Sequence, residues 1–189
     1  KTIKNKFSTG KEYFVYVGAL HPRKNIKNLL LAFEQTKRTT NCDHKLIIVG
    51  RKAWGNGTME KVYDKSSFKS DIVFTDRVTD EDLVGLYAAA TALVYVPYFE
   101  GFGIPLIEAQ ATGTAVITSN VSSLPEVVAD SGVLVDPRSV DQIANAMVGL
   151  LQNVNKLKEL ELKGLENVKR FSWERSSKHI MSVIHDVVR

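Results

Sequence analysis

Residues 92–118 read ALVYVPYFEGFGIPLIEAQATGTAVIT. The first five are β-branched, aromatic or small and carry no charge, as a strand buried on both faces requires. Residues 97–103 bring a proline and two glycines and break that run. Residues 104–112 then read as a helix with Pro105 in its first turn, where a missing N–H costs nothing. Residues 115–118 return to a strand. A strand, a short glycine-containing loop, a helix and another strand in immediate succession form a parallel crossover unit.

The same alternation extends in both directions. Strands are expected at 13–17 (YFVYV), 45–49 (KLIIV), 71–75 (DIVFT) and 132–135. Between them lie a helix opening at Asn25 with Ile26, Leu29, Leu30 and Phe33 on one face, a polar helical stretch at 59–65, and a helix capped by Thr79 or Asp80 and running to Ala90. Two long helices follow at about 140–152 and 156–168, and an amphipathic helix begins at Ser172 or Trp173. This is an α/β chain with a Rossmann-like, doubly wound parallel sheet. In such sheets ligands bind beyond the carboxyl ends of the strands. Four loops lie there: 18–24, 50–57, 76–79 and 97–103.

Composition narrows the partners. The chain of 189 residues has a net charge of +4 and a pI near 9.1. Its lysines and arginines are dispersed, with no basic stripe interleaved with aromatics, which argues against a nucleic-acid surface. The single cysteine, Cys42, cannot build a disulfide framework or a cysteine-based zinc site, and this suits a reducing compartment. His44, His179 and His185 have no metal-ligand spacing around them. The longest apolar stretch, 86–99, is too short for a membrane span and contains Pro97. Asn56 and Asn120 match the short glycosylation pattern, which arises often by chance. A start at KTIKNKF without methionine reads as a fragment of a longer protein.

The strongest chemical signal is Glu100 to Glu108, EGFGIPLIE. The N–H groups of Phe102, Gly103 and Ile104 precede or open a helix and are free to cradle an anion such as a diphosphate, aided by the helix dipole. A carboxylate accepts hydrogen bonds from neighbouring sugar hydroxyls, a role open to both Glu100 and Glu108. Glu108 lies in an otherwise apolar stretch, where an unpaired carboxylate is costly. The second signal is GALHPRKN, from Gly18 to Asn25: a strand, a turn, the cations Arg23 and Lys24, then a helix. Cations at a helix start oppose its dipole, and an anionic partner accounts for them. Arg51 and Lys52 extend the positive charge in the next loop, beside Trp54. Glu126 reads as a first-turn helix residue.

Two carboxylates eight residues apart around GFGxPxxE are similar to the E-x7-E motif of retaining glycosyltransferases with two Rossmann-like domains, the GT-B fold, of the group called family 4 or group 1. The resemblance runs from Tyr13 to the C-terminus. It implies that residues 1–170 form the donor-binding C-terminal half of such an enzyme, and that 171–189 form a helix packing toward an N-terminal domain that precedes residue 1. It also implies transfer of a hexose from a nucleotide-sugar to a glycan or lipid-linked acceptor bound by that N-terminal domain. The PRKN version of the basic loop resembles one seen among mannosyltransferases, so GDP-mannose comes first and UDP-sugars second. In this reading Lys24 and Arg23 stabilise the departing diphosphate and Glu100 orients the sugar. Glu108 holds the ribose, while Gly18, Phe102, Gly103, Ile104, Arg51, Arg77 and Val78 complete the nucleotide site. Neither a metal nor a cofactor is implied. A cytoplasmic protein fits that chemistry, with or without peripheral attachment of its full-length form to the inner face of the membrane. The sequence departs from the family at Ala19, where an arginine is usual, and His21 or Arg23 is placed to substitute. The competing readings are a sugar-nucleotide epimerase of the same architecture and a non-catalytic interaction module.

Overall fold

The computed structural model describes residues 2–51 and 57–188. A short helix α1 (Ile3–Phe7) precedes β1 (Tyr13–Val17), α2 (Ile26–Thr40), β2 (Lys45–Val49), α3 (Thr58–Lys65), β3 (Ile72–Asp76), α4 (Asp80–Ala88) and β4 (Ala92–Tyr95). The second half adds α5 (Ile104–Ala111), β5 (Val116–Ser119), α6 (Leu124–Val128), β6 (Val133–Val135), α7 (Val140–Gln152), α8 (Val154–Asn167) and α9 (Trp173–Val187). The strands form one six-stranded sheet in the order β3-β2-β1-β4-β5-β6, every pairing parallel. The chain winds outward from β1 to β3, then returns to lay β4 against β1 and winds the other way. The carboxyl ends of β1 and β4 are therefore the topological switch point, where such sheets open a crevice.

The strands explain the core. Tyr13 to Tyr16, Leu46 to Ile48 and Ala92 to Tyr95 are each at most 1% exposed, because helices cover both faces. The largest helical contact is α2 against α7, and Leu29, Leu30 and Phe33 join Ile143 and Met147 in the same buried cluster. The third strand begins one residue later than its apolar run predicts. Lys69–Asp71 closes a 3-10 turn, and Asp71 pairs with the buried Lys37 at 2.9 Å instead of entering the sheet.

Asn25 does not open α2 by capping it. It adopts a left-handed conformation, φ 62°, and its amide donates to the carbonyls of Val96 and Pro137 at 2.9 and 2.7 Å. The side chain expected at the helix start instead ties the basic loop to the end of β4. Helix α9 follows as predicted, but all its residues are exposed, including Trp173, Ile180, Met181, Val183 and Ile184. Among the described residues, no helix is long and apolar enough to cross a membrane.

Candidate active site

The loops after β1, β2 and β3 are stitched together by their own backbones. Gly18 N–H donates to Val49 O, Gly50 N–H to Asp76 O, and Leu20 N–H to Arg51 O, at 2.9, 2.9 and 3.2 Å. Gly50 has φ 145°, and a Cβ there would lie 2.0 Å from Gly18 O, so the two strand ends approach as only glycine permits. Around this seam lies a cleft of about 290 Å³ lined by Gly18, Ala19, Arg51, Arg77, Val78 and Leu83, among others. The predicted nucleotide residues Gly18, Arg51, Arg77 and Val78 are thus brought to one cleft. Lys52, Trp54 and Asn56 lie outside the described residues.

The basic loop delivers its two cations differently. Pro22–Lys24 forms a 3-10 turn, capped by His21 Nδ1, which accepts from Arg23 N–H at 3.2 Å. Left-handed Asn25 then reverses the chain, and Lys24 turns inward to 9% exposure, while Arg23 stays exposed. The Lys24 ammonium donates to the Tyr95 hydroxyl at 2.6 Å and pairs with Glu100 Oε2. Tyr95 donates its own proton to that Oε2 at 2.7 Å. Two residues 76 positions apart in sequence, Lys24 and Glu100, are therefore in direct contact at the switch point. Burial pushes the Glu100 carboxyl up. Hydrogen bonds from Lys24 and Tyr95, and the charges of Lys24 and Arg23, more than reverse this and hold it below the usual carboxylate range. Arg23 thus acts on the site through its field without touching Glu100.

The loop carrying Glu100 is braced from the far side of β5. Ser122, left-handed at φ 55°, accepts from Glu100 N–H at 3.3 Å, and Ser123 donates to the carbonyls of Glu100 and Phe102 at 2.9 and 3.2 Å. Ser119 donates to Pro97 O at 2.7 Å. The brace leaves the turn at Gly103, φ 99°, packed on Leu124 and Leu106. Among the described residues, no acceptor is bonded to the N–H groups of Phe102, Gly103 or Ile104 at the head of α5. Such a turn can take an anion.

Glu108 sits on α5 and has a partner of a different kind: the Tyr87 hydroxyl donates to its Oε2 at 2.9 Å. Tyr87 is one turn along α4 from Leu83, which lines the cleft, so a single helix face joins Glu108 to the nucleotide residues. Burial above all, then the Glu108 charge and hydrogen bond, pushes the Tyr87 phenol upward, so it remains a donor. Glu108 also borders a groove of about 390 Å³ with Phe102, Ile104, Ile107, Phe171 and Trp173, where the Phe102 and Phe171 rings meet edge to face.

Tyr95 and Tyr87 were not legible as site residues, while Ser122 and Ser123 fall in the stretch 119–126, which reads as a loop leading into a short helix and resembles the family's stretch after the fifth strand. The signal for the tyrosines was present: a phenol in a fully buried apolar strand or helix face must find a hydrogen-bond partner. Glu126 lies in the first turn of α6, as expected. Cys42 has His44 for a neighbour. Burial raises its thiol, but the His44 and Thr40 contacts bring it down to about 7. Among the described residues, no group of three or more His, Cys, Asp or Glu side chains could hold a metal ion.

Comparison with known proteins identifies the fold and the family. The chain is 39% identical over 162 residues to the O-antigen chain mannosyltransferase B of Escherichia coli, covering 86% of this chain and 42% of that protein. It is 31% identical over 172 residues to the MMP alpha-(1->4)-mannosyltransferase of Mycolicibacterium hassiacum, covering 88% and 41%. Among solved structures, sucrose-phosphate synthase from Thermosynechococcus elongatus superposes with a TM-score of 0.82 at 27% identity, over 94% of this chain and 46% of that one. The chain thus spans under half the length of the relatives it matches. Residues 1–167 match the family described as glycosyl transferases group 1, and the chain belongs to that family.

Proposed function

We propose that this chain is the donor-binding, C-terminal half of a retaining hexosyltransferase, with GDP-mannose as its first donor and a UDP-sugar as the alternative. The observation that carries the reading is the meeting of Lys24 and Glu100 at the switch point, beside the unbonded N–H groups of the Gly103 turn. The mannosyltransferase names of the relatives and the PRKN loop favour mannose. The nucleotide base lies in the cleft with Arg51, Arg77 and Val78, and Gly18 lets the diphosphate approach the backbone. Glu108, held by Tyr87, takes the ribose hydroxyls. Lys24, the field of Arg23 and the N–H groups of Phe102, Gly103 and Ile104 meet the negative charge that develops on the departing diphosphate. This is electrostatic stabilisation by groups that face the diphosphate before the bond breaks. Glu100 orients the transferred hexose. The glycan or lipid-linked acceptor is bound by the other half of the longer protein.

Calorimetric titration of the chain with GDP, UDP, GDP-mannose and UDP-glucose tests this. Binding in the micromolar to millimolar range, tighter for the guanine nucleotides and weakened by Glu108→Ala, is the expected result. Failure of both this chain and its longer parent to bind any of the four would overturn it.

A further inference from the structure

The Lys24 ammonium is already engaged by the protein. One N–H goes to the Tyr95 hydroxyl at 2.6 Å and another to Glu100 Oε2. Tyr95 closes the triangle by donating to the same carboxylate oxygen at 2.7 Å. The phenol is a fixed point. Tyr95 is 1% exposed, its ring stacks on Tyr16 at 5.9 Å between centroids, and its carbonyl accepts from Thr118 Oγ1 at 2.7 Å. Tyr16 is fixed in turn by donating to Ala19 O at 3.2 Å. With its oxygen accepting from Lys24, the Tyr95 proton is directed at Glu100. Burial, reinforced by the Glu100 hydrogen bond and charge, keeps that proton on the phenol.

An anion seeking Lys24 must compete with these partners. A ligand that binds only after a contact opens loses affinity by the fraction of molecules in which it is open. We propose that Tyr95 and Glu100 form a latch on Lys24, with Tyr95 as a positioning residue, and that a diphosphate group binds by drawing the ammonium off both. The inference rests on the reading that Lys24 receives the diphosphate. When Lys24 leaves, Glu100 is not stranded: Tyr95 still donates to it, and Ser122 and Ser123 still hold its backbone. The carboxylate freed from its cation is then available to sugar hydroxyls, so loading of the diphosphate exposes the group that orients the sugar.

Titrations of inorganic pyrophosphate, GDP and UDP into the wild-type chain and into Glu100→Gln, Tyr95→Phe, Lys24→Ala and the two double variants carrying Lys24→Ala test the latch. Glu100→Gln should bind all three probes about tenfold tighter, as for a contact open in about a tenth of molecules. Tyr95→Phe should tighten binding by about two- to threefold, and both gains should vanish in the Lys24→Ala background. A merely structural role would weaken binding in both single variants. If Glu100→Gln fails to fold by circular dichroism, Tyr95→Phe and its double variant carry the test. Wild-type binding of a nucleotide with no tightening in either variant would overturn the latch and leave the nucleotide reading standing. Tightening seen for pyrophosphate alone would keep the latch and refute the nucleotide reading. Absence of binding by every form, and by the longer parent as well, would overturn both.

Discussion

Glu100 and Glu108 stand eight residues apart, yet the fold treats them in opposite ways. Glu100 lies on a loop, its backbone braced by two serines and its side chain paired with a cation from the other half of the sheet. Glu108 lies on a helix that fixes its direction, and its partner is a neutral phenol. The loop residue is thus held by an ion pair across the sheet and the helical residue by a hydrogen bond from the neighbouring helix. A carboxylate tied to a cation is poised for exchange when another anion or hydroxyl arrives. One tied to a neutral donor through a single oxygen keeps the other available.

The comparison breaks first at Lys24. Lys24→Ala leaves Glu100 partly buried with no cation. Removing one partner of a fully buried pair costs about 3–5 kcal/mol. With side chains 11% and 16% exposed, solvent reduces this to a loss of about 2 kcal/mol in urea unfolding. An unchanged midpoint would mean that the pair does not form in solution. Tyr87→Phe tests the other carboxylate. It removes one hydrogen bond to a group that solvent still reaches, and a loss of about 1 kcal/mol is expected from the same measurement. A loss as large as that at Lys24 would erase the contrast.

The smallest effect is in acid. The Glu100 carboxyl is held below its ordinary value in the folded chain. Its contribution to stability is therefore complete above the unfolded carboxylate value of about 4.3, and is lost as pH falls through the lower folded value. Urea midpoints between pH 3 and 6 should fall more steeply toward acid in the wild type than in Glu100→Gln. Parallel curves would place the ion pair's contribution below detection.

Much of the fold was legible because its signals are local. All six strands, the crossover helices and the glycine loops follow from apolar runs and their breakers. The one-residue shift of β3 came from Asp71, which the Lys37 ammonium draws out of the strand. Asn25 stands at the helix start as expected, but its side chain ties the basic loop to two distant carbonyls instead of capping the helix. The short helix α1 carried too weak a pattern in five residues to be expected at all.

The sequence by itself determined the doubly wound class and the loops at the carboxyl ends of the strands. It did so because burial on both faces of a strand leaves a pattern within a few consecutive residues. Only the tertiary structure decided that Lys24 meets Glu100 across 76 positions, that Tyr95 joins them, and that Glu108 answers to Tyr87. The Lys24 contacts depend on which strands lie side by side, and the Tyr87 contact on how α4 packs against α5. The strand order puts β4 against β1, and no local pattern in the chain encodes that adjacency.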